Sequence, residues 1–101
     1  MPFYTFILDY KGGTYTSQVQ SPSIKTACVN WAKNLEVSKI WGFGKSSKEK
    51  LIEKMKDETP VLLNGLINVW CVSALFRGEL AVIHFVKTEN LTDNEQLTTD
   101  N

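Results

Sequence analysis

Few residues in this chain have side chains suited to acid–base or nucleophilic chemistry. The single histidine is His84, and the two cysteines are Cys28 and Cys71. A nucleophilic cysteine needs a nearby base and an exposed, electropositive setting, whereas both cysteines fall within apolar patterns. Cys71 and His84 are expected to face each other across two paired strands, where directly opposed side chains can touch. Because no third member of a catalytic set can be identified beside them, the sequence favours a protein that is not an enzyme.

Motifs that bind metals or nucleotides are not found. The cysteines do not form the close C-x-x-C pairs of structural zinc sites, and the sequence contains no P-loop, G-x-G-x-x-G or H-E-x-x-H. We therefore expect no metal and no cofactor, and we interpret both cysteines as buried thiols that behave as small hydrophobic residues.

Length and composition indicate one small globular domain. The chain has 101 residues, 43% of them hydrophobic, which suffices for a single core. No apolar run reaches the length of a membrane-spanning helix, and the N-terminus lacks the features of a secretory signal. We therefore expect a cytoplasmic protein with no membrane partner. The net charge is zero, yet residues 21–56 hold eight lysines and three glutamates, a local charge of +5, which predicts a basic face and an acidic face.

Two β-hairpins are predicted, one near each end of the domain. Residues 4–10 and 14–20 alternate between apolar and polar side chains around Gly12-Gly13, a pair suited to a type I′ turn. This loop would place Tyr10 opposite Tyr15. The second hairpin is predicted from two apolar runs that flank Arg77-Gly78-Glu79.

Two helices are predicted between the hairpins. Ser21-Pro22 supplies a capping hydroxyl and a proline suited to the first turn, and apolar residues recur at helical spacing over residues 24–35. The second helix is predicted to begin near Ser46, which forms a capping box with Glu49, and to end at about Lys56.

The order of these elements predicts an α+β fold. The order β-β-α-α-β-β most simply forms a four-stranded antiparallel sheet with two helices packed on one face. We assign residues 1–87 to this domain. Residues 88–101 contain four acidic and no basic residues, and we expect them to form a flexible acidic tail.

The second hairpin is predicted to be apolar on both faces, which is unusual for an antiparallel sheet with one solvated side. Its register pairs Val72 with Ile83 and Trp70 with Phe85 on one face, and these four residues are the candidate protein interface. Either the helices cover one face and a partner covers the other, or two copies of the chain pack across the sheet. A third alternative is that residues 59–65 fold over the second face.

The segment between the predicted helices, residues 37–52, resembles a helix-hairpin-helix motif. In that family a glycine-hydrophobic-glycine turn joins two helices, and backbone amides at the start of the second helix hold a nucleic-acid phosphate. The resemblance implies that Gly42-Phe43-Gly44 is the hairpin and that Lys45, Ser46 and Lys48 lie beside the phosphate. Independently of the resemblance, glycines allow the backbone to approach a ligand closely, helix N-termini attract anions, and this stretch is the basic part of the chain.

Three functions follow from these patterns. The first is a non-enzymatic interaction domain that binds a protein partner or a second copy through an apolar sheet face. The alternative is weak, sequence-independent nucleic-acid binding through the turn at residues 42–48. An enzyme using Cys71 and His84 ranks third. Phosphate binding weakens steeply with salt, whereas an apolar interface hardly does, so salt dependence separates the first two.

Overall fold

A computed structural model of the chain describes residues 1–58 and 60–88. Within them, two α-helices accompany one antiparallel β-sheet, so the α+β class is confirmed. The sheet has five strands rather than the predicted four. The predicted tail, apart from Thr88, lies outside the described residues. The elements are β1 (Phe3–Tyr10), β2 (Gly13–Gln20), α1 (Ile24–Asn34), a 3-10 helix (Val37–Lys39), α2 (Lys45–Asp57), β3 (Val61–Leu62), β4 (Val69–Phe76) and β5 (Glu79–Thr88).

The strand order across the sheet is β2-β1-β5-β4-β3. β5 lies at the centre because it pairs with β1 on one side and with β4 on the other, which joins the two hairpins into one sheet. The extra strand β3 pairs Val61 with Cys71 and Leu62 with Trp70. This part of the connecting segment extends the edge of the sheet, and it does not lie over either face.

The second hairpin has the predicted register, while the first is shifted. Val72 pairs with Ile83 across the loop Arg77-Gly78, as predicted. In the first hairpin the loop is Lys11-Gly12, with φ values of 49° and 80°, and Leu8 pairs with Tyr15. The predicted pairing of Tyr10 with Tyr15 is therefore wrong by two residues.

Gly13 belongs to β2 and lies against the Tyr15 ring, since a Cβ atom there would be 2.5 Å from the Tyr15 hydroxyl. A residue other than glycine at this position would displace that ring. The turn itself is made by Lys11 and Gly12, both of which have positive φ. Because side chains alternate with a period of two, a shift of two residues keeps each one on its predicted face.

Both helices begin at residues other than the predicted caps. α1 is capped by Ser23, whose hydroxyl accepts a hydrogen bond from the Thr26 amide at 3.2 Å. Ser21 is instead buried. α2 begins one residue earlier than predicted, and its N-cap is Gly44, which has no side chain to cap with.

The core lies between the helices and one face of the sheet. The Phe6 ring of β1 stacks on Trp31 of α1 at 4.9 Å between centroids and on Phe85 of β5 at 5.0 Å. At the other end of the sheet, Phe43 contacts Phe76 edge to face. Buried residues of both helices belong to the same cluster as the inward residues of β1, β4 and β5, so both helices cover the same face. None of the helices in the described part of the chain is long and apolar enough to cross a membrane.

Candidate functional site

The face of the sheet opposite the helices is uncovered, and we call it the open face. Its side chains follow from the register of the strands. One row across the sheet runs from Thr16 of β2 through Ile7, His84 and Cys71 to Val61 of β3. All five of these side chains are half-buried or exposed, whereas the residues on either side of Ile7 and of His84 along their strands are buried in the core.

Apolar side chains are concentrated on one half of the open face. We call this half the apolar patch and define it by the outward residues of β3, β4 and β5. Three of them are largely exposed: Leu75 by 67%, Leu80 by 56% and Val61 by 66%. Leu75 and Leu80 are directly opposed. The patch consists of Val61, Val69, Leu75, Leu80, Val82 and Val86.

The apolar patch continues around the edge of the sheet. Leu62 of β3 and Leu66 of the following loop are about half exposed, and Ile67 is 85% exposed. Of the eight large hydrophobic residues that are exposed in the described parts of the chain, six lie between Val61 and Leu80. Contiguous exposed apolar surface of this kind is typical of a site that another molecule covers.

The other half of the open face is polar, and its side chains bond to each other. The Thr14 hydroxyl donates a hydrogen bond to the Asp9 carboxylate at 2.7 Å, and the Gln18 amide donates one to the Thr5 hydroxyl at 3.0 Å. Both pairs join β1 to β2 between directly opposed residues. This half is therefore suited to contact with water, which limits the candidate interface to the apolar patch.

The four residues expected to form the interface lie on the covered face. Ile83 and Phe85 are fully buried, Val72 is 7% exposed, and Trp70 stacks on Phe85 at 5.9 Å between centroids. Val72, Ile83 and Phe85 are therefore part of the core, and the half-buried Trp70 packs against it. The surface left for a partner is formed by the alternate residues of the same two strands.

Cys71 and His84 lie at the centre of the apolar patch. They are directly opposed on β4 and β5, as the sequence predicts, and both are half-buried. Val61 is next to Cys71 on one side, and Ile7 is next to His84 on the other. Cys71 and His84 therefore lie next to each other on a surface whose other residues are mainly apolar.

The second cysteine is in a different setting. Cys28 of α1 is completely buried, and burial raises the pKa of its thiol to about 12, an effect that Lys25 partly opposes. The thiol is consequently protonated and inert at neutral pH. This agrees with its interpretation as a small hydrophobic residue.

The glycine-hydrophobic-glycine turn, Gly42-Phe43-Gly44, lies at the end of the core formed by Tyr10 and Phe76. Gly42 has a φ of 75°, Phe43 is 3% exposed, and Gly44 caps α2. The Phe43 ring contacts Tyr10 and Phe76 edge to face at 5.5 and 5.2 Å. Phe43 therefore anchors the turn to the sheet, and what precedes the turn is the single-turn 3-10 helix rather than an α-helix.

The polar residues of this turn differ in their availability. Lys45 and Ser46 are exposed in the first turn of α2, which contains no acidic residue. The Lys48 ammonium instead donates a hydrogen bond to the Leu35 carbonyl at 2.9 Å, just after the end of α1. A cation is favourable there because helix C-termini carry partial negative charge. Lys48 therefore joins the two helices, whereas Lys45 and Ser46 are exposed to solvent.

An exposed tryptophan adds to this surface. Trp41 is 73% exposed, and the Lys11 ammonium lies 5.0 Å from its ring centroid, within the range of a cation–π contact. The Trp41 amide donates a hydrogen bond to the Tyr15 hydroxyl at 3.3 Å. The first hairpin thus holds Trp41 in place. Sequence patterns place Trp41 beside the turn, but its contact with Lys11 arises only when the chain folds.

A groove of about 330 Å³ lies between β2 and the end of α1. Trp31 and Ser17 are among its lining residues, and the indole N–H donates a hydrogen bond to the Ser17 hydroxyl at 3.1 Å. The charged residues in its lining are Glu36 and Lys39, which form an ion pair with each other at 3.2 Å. The groove therefore presents no unpaired charge that would select an ionic ligand.

Comparisons of the chain with models of protein families, with curated proteins and with solved structures found no match. The candidate surfaces are therefore defined by their own geometry and chemistry.

Proposed function

We propose that this chain is a non-enzymatic interaction domain that binds another protein chain through the apolar patch. The observation that carries the proposal is the uneven distribution of exposed apolar side chains, which are concentrated on β3, the loop that follows it, and the outward side of β4 and β5. The polar half of the same face differs from the apolar patch, because its side chains form hydrogen bonds across the strands and are suited to contact with water.

Burial of the patch supplies a substantial part of the free energy that specific binding needs, against a cost of about 4–15 kcal/mol for the freedom that two chains lose on association. Complete burial of a leucine or valine side chain stabilises a complex by about 1.5–3 kcal/mol. Val61, Leu75 and Leu80 are each more than half exposed, so their burial would contribute on the order of 3–5 kcal/mol. The other patch residues and Ile67 add to this, and a partner with an apolar surface of its own adds a similar amount.

The experiment compares two double variants of the full chain. Leu75→Lys/Leu80→Glu removes two of the three largely exposed side chains of the patch. The replacements carry opposite charges that face each other across the hairpin, which preserves strand pairing. Thr16→Glu/Gln18→Lys makes the same change of charge on the polar half of the open face. Sedimentation equilibrium measures self-association. A photo-crosslinking residue at position 75 identifies a partner encoded by another gene, and that partner is then purified and its binding measured by titration.

The patch variant should bind at least tenfold more weakly than the wild-type chain. The polar-half variant should bind with the same affinity as the wild-type chain. Because apolar contacts carry the interface, the affinity of the wild-type chain should change little between 50 and 500 mM salt. Equal binding by the patch variant and the wild-type chain would contradict the proposal.

Sequence-independent nucleic-acid binding is the second candidate, and a separate observation favours it. Lys11, Trp41 and Lys45 are exposed near the uncapped start of α2, and Trp41 already accepts a cation on its ring. An exposed aromatic ring among lysines can stack on a base while the lysines contact phosphates.

A salt titration with fluorescent single- and double-stranded oligonucleotides tests this candidate. Binding should fall steeply with salt, and Trp41→Ala and Lys45→Glu should each weaken it at least fivefold. Lys50→Glu is the matched control, since it changes the same charge on an exposed position of the same helix. No binding at low salt, or equal losses for Lys45→Glu and Lys50→Glu, would count against a site at the turn.

A further inference from the structure

We propose that Cys71 and His84 form half of a zinc site, which is completed by the same two residues of a second copy when two apolar patches pack face to face. This inference rests on the proposed interaction through the apolar patch, and it specifies both the partner and an ion that the interface binds. The ligand set would be Cys₂His₂, one of the sets that structural zinc prefers.

The first observation is that the two side chains are placed together. Cys71 and His84 are directly opposed on neighbouring strands and share the open face. Directly opposed residues have Cβ atoms about 4.5–5.5 Å apart, which allows a thiolate and an imidazole to reach one ion. Within a single copy, no group of three or more His, Cys, Asp or Glu residues able to hold a metal occurs among the described residues. A site with two protein ligands is incomplete, and a second copy supplies the missing pair.

The second observation is the chemistry of their surroundings. The imidazole lies among Val82, Val86 and Ile7. If an apolar surface of another protein covered the patch, the imidazole would be desolvated without a hydrogen-bond partner, which is costly. Two copies related by a two-fold axis through this position would bring two imidazoles and two thiols together, and an ion between them would satisfy all four.

The dimensions of packed sheets are compatible with such an ion. Facing sheets pack about 10 Å apart, so an ion midway between them lies about 5 Å from each. Zinc binds cysteine sulfur at about 2.3 Å and histidine nitrogen at about 2.0–2.1 Å, and both side chains extend far enough from a strand to meet it. Each thiol would bind the ion as a thiolate and release its proton to solvent.

A two-fold dimer is also compatible with the charge of the patch. An isologous interface requires the same surface on both copies, and the described side chains of the open face bring little charge to oppose it. Asp9, the charged carboxylate of this face, lies on β1 opposite Val82, at the border of the patch, and it is hydrogen-bonded to Thr14. A dimer centred on Cys71 and His84 therefore places little like charge between the two patches.

The experiment uses the full chain, freed of metal with a chelator and then titrated with ZnCl₂ while its mass is followed by sedimentation equilibrium. Zinc should double the mass and bind at one ion per two chains, as measured by elemental analysis. Co²⁺ in place of zinc should give the intense visible bands of a tetrahedral site with thiolate ligands. Cys71→Ser and His84→Gln should each abolish both effects, whereas Cys28→Ala, which removes the buried thiol, should retain them.

The outcomes separate this inference from the proposed function. A dimer that forms equally well without metal, and that Leu75→Lys/Leu80→Glu disrupts, would overturn the zinc site and leave interaction through the patch intact. A chain that stays monomeric with zinc, or that binds one ion per monomer, would also overturn the shared site. Circular dichroism of each variant shows that it is folded, and the cobalt spectrum of the wild-type chain is a test that requires no variant.

Discussion

The two cysteines show how position in the fold determines the chemistry of a side chain. Cys28 lies on the buried side of α1, where burial raises the pKa of its thiol to about 12. Cys71 is half-buried on the open face, directly opposite His84. Both cysteines occur in apolar patterns in the sequence, so the pattern alone assigns them the same role. The difference between an inert thiol and a candidate ligand arises from which face of its element each residue occupies.

The raised pKa of Cys28 predicts a loss of stability at alkaline pH. The thiol of the unfolded chain ionises from about its ordinary value of 9.0, whereas the folded thiol stays protonated to about 12. Below pH 9 both states keep the proton, so the free energy of unfolding does not depend on this group. Above pH 9 the unfolded state binds fewer protons than the folded state, so stability falls as pH rises. At pH 10.5 the loss from Cys28 should be about 2 kcal/mol.

Urea denaturation at pH 8 and pH 10.5 measures this effect. Cys28→Ala should lose less stability between the two pH values than the wild-type chain, by about 2 kcal/mol, whatever its stability at pH 8. An equal pH dependence in the wild-type chain and in Cys28→Ala would contradict the assignment.

At the scale of elements, hydrogen bonds from polar side chains cap the start of α1 and connect its end to α2. Ser23 caps α1 through the Thr26 amide, while the Lys48 ammonium binds the Leu35 carbonyl beyond its other end. α2 begins at Gly44 without a side-chain cap. The start of α2 is therefore the helix end that is left most available to an anion, which is the feature that the nucleic-acid candidate uses.

A pair of serine substitutions checks the caps. Ser23→Ala should lower the free energy of unfolding by about 1 kcal/mol, because the Thr26 amide loses its acceptor, and this should lower Tm by about 4–8 °C in a domain of this size. Ser46→Ala should change stability by less than about 0.5 kcal/mol, since Ser46 is exposed within the first turn and is not the cap. Thermal denaturation followed by circular dichroism measures both. A larger loss for Ser46→Ala than for Ser23→Ala would restore the capping box predicted from sequence.

At the scale of the whole molecule, one aromatic cluster joins the helices to the sheet. Phe6 lies on β1 and stacks on both Trp31 of α1 and Phe85 of β5. β5 in turn pairs with β4, whose outward residues form much of the apolar patch. The stability of the apolar patch therefore depends on packing on the opposite side of the same sheet.

Phe6→Ala should be severely destabilising. Removing a buried phenylalanine costs about 3–5 kcal/mol, a large part of the 5–15 kcal/mol that holds a typical domain folded. Urea denaturation of the variant should show this loss. Ile7→Ala, at the neighbouring residue on the open face, is the control and should cost less than half as much, because Ile7 is only half-buried. Similar losses for the two variants would contradict the assignment of the covered face.

Much of the fold could be predicted where local patterns are unambiguous. The amphipathic spacing of α1 and the register of the β4–β5 hairpin follow from side-chain period and from the Arg77-Gly78 turn, which supplies two residues with positive φ. The capping residues are less predictable, because Ser21 and Ser23 are both suitable and the choice depends on where the chain leaves β2. The edge strand β3 was missed since two residues carry no periodic signal.

The sequence by itself determined the α+β class, the two hairpins, the two helices and the alternation of side chains along each strand, because these depend on interactions between residues near each other in the chain. Only the tertiary structure decided which face of the second hairpin the helices cover. Both faces are apolar, so period alone cannot choose between them. The helices pack against the face that carries the large rings of Trp70, Phe76 and Phe85. The open face is left with the smaller Val and Leu side chains and with Cys71 and His84.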